Sequence, residues 1–165
     1  MTPFDKIKVL LQSDDIMNVN MGIELLNALV TEPEQILQAL GIKTEISSVD
    51  ELEAVLEEFE HNGTILVYVL GKWAELGVEW VLKLERLDLS DNQLTSLPEH
   101  IQHLTNLTKL DLSYNEFTCL PEQIGQLTNL TTLWLSTILS LGKNNISDDE
   151  QSKLKALLPN CEIYF

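Results

Sequence analysis

The chain is short of basic residues, cysteine and long apolar runs. Lys and Arg total 10 against 26 Asp and Glu, so the formal net charge is −16. A field of that sign opposes nucleic acid and anionic membrane surfaces, and neither is expected as a partner. Arg86 is the single arginine, a thin basis for phosphate chemistry. Two cysteines make no disulfide framework. The start Met-Thr-Pro-Phe-Asp-Lys lacks the charged-then-apolar order of a secretory signal, and no apolar run reaches membrane-spanning length. A cytoplasmic location is the expectation. No phosphate loop, Cys-x-x-Cys pair or zinc-protease helix occurs. Catalysis is therefore not expected, and no cofactor or metal is called for.

What the chain does have is a copy of itself. Leu84-Glu-Arg-Leu87-Asp-Leu89-Ser-Asp-Asn92-Gln-Leu94-Thr-Ser-Leu97-Pro98 returns as Leu107-Thr-Lys-Leu110-Asp-Leu112-Ser-Tyr-Asn115-Glu-Phe117-Thr-Cys-Leu120-Pro121. The offset is 23 residues at every apolar position, and it continues through Ile101/Ile124, Leu104/Leu127, Leu107/Leu130 and Leu110/Leu133. In Leu87-Asp88-Leu89 side chains alternate across a short strand. The leucines point inward; Arg86, Asp88 and Ser90 point to an open face. Asn92 and Asn115 stand where the chain turns away. An Asn amide carries donors and an acceptor, so stacked copies can satisfy the backbone of buried turns. No such unit buries its leucines alone, so neighbours must stack.

This pattern resembles the typical 23-residue class of leucine-rich repeat. It is most similar to the intracellular class that includes Ras-binding and plant Ras-group repeat proteins. The resemblance covers about half the chain, from residue 84 on. It implies an α/β fold: a leucine-rich-repeat solenoid with a parallel concave sheet and a mostly helical N-terminal cap. It also implies a module that binds proteins. The units expected are residues 84–106, 107–129, an irregular 130–157 and a terminal strand in 158–165.

Residues 1–83 read differently. Phe4, Ile7, Leu10 and Leu11 share a helical face, Ser13-Asp14-Asp15 breaks it, and Ile16 to Val30 gives a second helix. Thr31-Glu-Pro33-Glu34 predicts a third helix capped by Thr31, ending near Leu40-Gly41. Ile42 to Ile46 is open, with a short strand as one reading. Ser48-Val-Asp-Glu51 is a capping box opening a helix from Val49 to Glu60, closed by Asn62-Gly63. Thr64-Ile-Leu-Val-Tyr-Val-Leu70 is β-branched, aromatic and flanked by glycines, which predicts a strand over 64–70. Gly71 to Leu82 reads as helix. A repeat array needs a cap over its first unit, and residues 1–83 suit that role. The acidic helix with Asp50, Glu51, Glu53, Glu57, Glu58 and Glu60 reads as a docking face or simply as a solvated one.

After Leu133 the repeat stumbles. The Asn due at position 138 is Ile, yet Leu139-Ser-Leu141-Gly-Lys-Asn144 fits the motif six residues late. Leu133/Leu135 and Leu139/Leu141 compete for one strand. A six-residue slip keeps the in/out alternation, so patterning cannot choose; the 23-residue spacing favours Leu133/Leu135. Ser147-Asp-Asp-Glu150 caps a last helix. Leu158-Pro-Asn-Cys161-Glu-Ile163 restates the motif, which predicts a strand from Cys161 to Phe165 with Cys161 buried at a leucine site.

The candidate protein-binding ladder on the concave face is Arg86, Asp88, Ser90, then Lys109, Asp111, Ser113, then Thr132, Trp134 and Ser136. Asp91 and Tyr114 lie on its rim. Trp, Tyr and Arg are frequent anchors of interfaces, and Trp134 in mid-strand costs apolar exposure unless something covers it. Glu99, His100 and His103 suggest a metal, but the equivalent positions are Glu122, Gln123 and Gln126, which marks surface. The expected function is a non-catalytic adaptor for a protein partner, its identity open and its chemistry basic if the acidic charge matters. Solubility alone also explains that charge. Regulation of a small GTPase or signalling enzyme, an enzyme site in residues 1–83, and self-association through the concave face or the last strand are the alternatives.

Overall fold

The computed structural model describes residues 3–42, 45–57, 59, 62–136 and 144–165. They divide into two units, Met1–Val81 and Leu82–Phe165.

The first unit is built on helices. α1 (Pro3–Leu11) and α2 (Ile16–Leu29) are amphipathic helices that pack on each other, and Asp15 caps the second, its carboxylate accepting from the Met17 N–H at 2.9 Å. Gly22 permits their close approach: a Cβ there would stand 3.0 Å from Leu11 Cδ2. α3 (Pro33–Leu40) starts one residue later than the sequence suggests. Its cap is Glu32, and Gln35 Oε1, not Glu34, accepts from the Thr31 and Glu32 N–H groups at 2.8 and 3.1 Å. Pro33 holds the first helical position, and Gly41 ends the helix at φ 76°. α4 (Val49–Leu56) is capped by Ser48 as its sequence predicts, while Glu51 reaches back to Ser47. The strand reading at Ile42–Ile46 touches residues 43 and 44, which lie outside the described ones, as do Glu58, Glu60 and His61.

The strand expected over 64–70 is not there. α5 (Asn62–Glu75) takes in the whole run, and Asn62-Gly63 opens this helix instead of closing α4. Every residue from Gly63 to Ala74 is buried. α2, α3 and α4 all pack against it. A helix enclosed on all sides needs no amphipathic period, so its sequence is a continuous apolar run that length and composition confuse with a strand. Tertiary burial outweighs the weak β preference of Ile65, Val67 and Val69. Lys72 is the one basic group inside this stretch, its Nζ 3.0 Å from Glu75 Oε1. Trp73 donates to the Pro33 carbonyl at 3.2 Å and meets Trp80 edge-on, with centroids 5.9 Å apart. The short α6 (Glu79–Leu82) follows.

The second unit is a four-stranded parallel sheet in the order β1 (Arg86–Asp88), β2 (Lys109–Asp111), β3 (Thr132–Trp134), β4 (Glu162–Tyr164). Leu87, Leu110, Leu133 and Ile163 stand in register on the inner side. Leu89, Leu112, Leu94, Phe117, Ile101, Ile124, Leu104 and Leu127, each exposed by at most 2%, complete the core. The return segments carry short 3-10 turns at Glu99–His103 and Glu122–Gln126, each after its proline. Burying two leucine sets this fully is worth about 1.5–3 kcal/mol per side chain before the entropy of ordering is counted.

β3 settles the competing registers. Leu110 pairs with Leu133 and Asp111 with Trp134, so the strand takes the earlier copy. The asparagine comes from the later one. Asn144 Oδ1 accepts from Phe117 N–H at 2.9 Å, and its Nδ2 donates to the Leu112 and Leu135 carbonyls at 2.8 and 2.7 Å. Asn115 does the same one repeat earlier, accepting from Asn92 and Leu94 and donating to Leu89 and Leu112. The intervening residues 137–143 lie outside the described ones.

α7 (Asp148–Leu157), capped by Ser147, replaces the third 3-10 turn. It lies close to the Glu122–Gln126 segment, where Gly125 leaves space: a Cβ there would be 3.3 Å from Leu157 Cδ2. Lys153 joins Glu122 at 3.5 Å. The last strand sits two residues later than the motif alignment predicts. Ile163, not Cys161, faces Leu133. Cys161 precedes β4 and is only half-buried. A two-residue shift preserves alternation, so the pattern could not expose it.

Candidate functional site

The outward positions of the sheet form two registered rows. Arg86, Lys109, Thr132 and Glu162 make the first, and Asp88, Asp111, Trp134 and Tyr164 the second. Ser90, Ser113 and Ser136 follow the second row in sequence. The structure thus brings all nine candidate residues to one face or its border, but not all are free to act.

The serines and aspartates hold each other. Asp88 Oδ1 accepts from Ser90 N–H at 2.9 Å and from its hydroxyl at 2.7 Å; Asp111 and Ser113 repeat this at 2.9 and 2.6 Å. These bonds fix the exit from each strand, where the chain enters the asparagine turn. Ser113 is 2% exposed and offers nothing to a partner.

Arg86 and Lys109 are direct neighbours across β1 and β2. Among the described residues no ion pair joins either of them. Like charges opposite one another on paired strands disfavour the sheet by a fraction of a kcal/mol, about 0.2–1. The face therefore carries a cationic pair at its β1–β2 end in a chain that is acidic almost everywhere else.

The β3–β4 end is aromatic. Trp134 stacks on Tyr164 with ring centroids 6.1 Å apart and planes 11° from parallel. Sequence reasoning placed Trp134 outward but missed Tyr164 as the residue that covers one side of it. The signal was present: Glu162 and Tyr164 are the outward positions of an alternating Cys161-Glu-Ile-Tyr-Phe165 strand. Glu162 accepts a hydrogen bond from the Tyr164 hydroxyl, which raises that phenol above its ordinary pKa. Burial, then Glu162, pushes the Cys161 thiol up to about 11.

Tyr114 stands on the rim, 39% exposed, in the left-handed region at φ 56°. Asp91 holds the equivalent place one repeat earlier, also at φ 56°. Bulky side chains seldom adopt this backbone conformation, and holding one there costs on the order of 1 kcal/mol. Asp or Asn is the ordinary occupant; the tyrosine is the exception.

Elsewhere on the unit, polar groups are already used. A hollow of about 490 Å³ is lined by Lys83, Glu85, Asn106, Thr108 and Asn129. Asn106 donates to the Leu82 carbonyl and Asn129 to that of Thr105, while the Thr108 and Thr131 hydroxyls donate to Glu85 and Thr108. The two Asn-x-Thr triplets are thus a second ladder of side-chain bonds between repeats. His100 and His103 lie 6.3 Å apart by ring centroid. Among the described residues no group of three or more His, Cys, Asp or Glu is arranged to hold a metal ion, and no helix is long and apolar enough to cross a membrane.

The strands of this sheet recur every 23 residues, and each turn is clamped by the asparagine of the next. Residues 82–137 match the sequence model of the leucine rich repeat. The chain is also similar to a solved leucine-rich-repeat protein of Leptospira interrogans, at 37% identity over 60% of this chain and 21% of that one, with a TM-score of 0.48. The chain spans about a fifth of the length of that protein. No curated protein matches it.

Proposed function

We propose that the open face of the four-stranded sheet binds a protein partner, and that the chain works as a non-catalytic interaction module. The observation that carries this reading is the aromatic pair Trp134–Tyr164, set on an outward row of the sheet. A flat aromatic surface held by a rigid sheet loses little entropy when it is covered. Arg86 and Lys109 at the other end of the face add a position for an acidic group of the partner, which would also relieve their mutual repulsion. The face then reads a segment with a polar or charged residue toward β1 and β2, where Arg86 and Lys109 stand beside Asp88 and Asp111, and an apolar or aromatic one toward β3 and β4.

The test is capture from source-cell lysate with three chains. Wild type and Val9→Gln, which changes an exposed side chain of the first unit only, are expected to hold the same protein. A Trp134→Ala, Lys109→Glu double variant that keeps its circular dichroism is expected to lose it. Retention by the double variant would move the working surface off the sheet. A regulatory partner of a small GTPase or signalling enzyme is the narrower reading that family resemblance suggests; the identity of the captured protein decides it.

A further inference from the structure

Helix α2 is apolar on the side it does not bury. Val19, Gly22, Ile23 and Leu26 form its inner face. Opposite them Met17 is 74% exposed, Met21 55%, Leu25 44% and Leu29 47%, and Ala28 is exposed among them. Steps of four residues advance about 40° each around a helix, so these side chains form one continuous row across about 120° of surface. A helix with wide apolar surface is ordinarily enclosed. α5 obeys that rule, and α2 leaves this row in the open beside a polar stripe of Asn20, Glu24 and Asn27.

The charged residues of the segment that carries this row have one sign, and the nearest lysines in sequence are Lys6 and Lys8 of α1. From Val9 to Ile42 the sequence contains no Lys, Arg or His. Asp14 and Asp15 stand at the start of α2, Glu24 beside Met17 and Ala28, and Glu32 and Glu34 just beyond its end, all of them exposed. We propose that the outer face of α2 docks a basic amphipathic helix. Its apolar side would cover Met17, Met21, Leu25 and Leu29, and its lysines or arginines would meet Asp14, Asp15, Glu24 and Glu32. Anchors four residues apart are how one helix reads another, and methionine adapts to such contacts because its side chain is unbranched and polarisable. A second copy of this chain fits poorly. Isologous pairing sets the same patch against itself, which brings carboxylates together with no cation to meet them. An anionic lipid surface is opposed by the same sign. This inference concerns the first unit and does not depend on the reading of the sheet.

The probe is a labelled helical peptide of about 18 residues with leucines on one side and lysines on the other, long enough to lie along α2. It is titrated into the full chain by fluorescence anisotropy, beside a shuffled peptide of equal composition and a leucine–glutamate counterpart. The expected result is saturable binding of the amphipathic leucine–lysine peptide alone. A Met21→Gln, Leu25→Gln variant weakens it by about tenfold or more. Glu24→Lys weakens it and flattens its salt dependence, and Trp134→Ala leaves it unchanged. The α2 side chains substituted are exposed, and circular dichroism confirms that each variant, Trp134→Ala included, is folded. Equal binding of the shuffled peptide, no binding of the amphipathic one, or indifference to the α2 substitutions overturns the proposal. So does loss in Trp134→Ala alone, which places the peptide on the sheet. A doubled mass of the chain by sedimentation, abolished by Met21→Gln, Leu25→Gln, would also overturn it by giving the face to a second copy.

Discussion

The turns after β2 and β3 differ in length and share an outcome. Asn115 follows Leu112 by three residues, and Asn144 follows Leu135 by nine. Both amides reach the same three kinds of backbone group: an N–H of the preceding repeat, a carbonyl of that repeat and a carbonyl of their own. What the array demands is an asparagine at the end point, with the path of the chain left open. Loop entropy explains the tolerance, because the cost of closure rises only with the logarithm of length. The two turns also differ in depth. Asn115 is fully buried, and Asn144 is half-buried.

That difference in depth sets the largest expected effect. Asn115→Ala strips partners from the Asn92 and Leu94 N–H groups and from the Leu89 and Leu112 carbonyls. At about 1–3 kcal/mol for each buried group left unpaired, the second unit should lose about 4 kcal/mol or more in urea unfolding. Asn144→Ala should cost roughly half as much, about 2 kcal/mol, because water can reach what it leaves behind. Equal losses would erase the distinction between the two turns.

Deleting residues 138–143 makes the spacings equal. It should leave the fold in place and raise stability by about 1 kcal/mol through the shorter loop. A chain that unfolds instead would show that the long turn is required. Trp134→Ala removes the stack on Tyr164 and should lower stability by about 1 kcal/mol, seen as a lower Tm. Least affected is α4. The Ser47 backbone and side-chain hydrogen bonds hold the Glu51 carboxyl below its ordinary pKa. A lowered carboxylate contributes stability that is complete above its unfolded value and is lost as pH falls through the folded one. Protection of the amides at the start of α4 against exchange, relative to the intrinsic rate at each pH, should therefore fall as pH drops below the ordinary carboxylate range, with Glu51→Gln showing no such step.

The two units were unequally legible. In the second, an exact 23-residue copy fixed the strands, the inward leucines and the outward ladder, because a repeat compares itself with itself. Its failures came where copies ended: the Cys161 register slipped by an even number, which alternation cannot detect, and Tyr164 was overlooked as a member of the row. In the first unit each helix had to be read from local signals alone. Ser48 and Asp15 were readable as helix starts, since a short polar side chain before an apolar run has a definite hydrogen-bonding role. The cap at Glu32 slipped by one because Gln35 and Glu34 both satisfy the pattern. In α5 only the end from Gly71 to Glu75 was read as helix, and the run before it was taken for a strand, since burial on every side removes the periodicity from which helices are recognised. Ser90 and Ser113 were assigned to a partner and belong to the strand exits. A side chain that points outward can still be used up by its neighbour two residues away.

The asparagine ladder has a direction, and it bears on how the protein is made. Asn92 and Leu94 present their N–H groups to Asn115, and Phe117 presents its own to Asn144. Each turn is finished by an amide that leaves the ribosome later. At about 5–20 residues per second, a nascent repeat waits roughly one to five seconds for the group that completes it. Synthesis halted between two repeats leaves the newest turn with open backbone donors, and the next stretch of chain closes them.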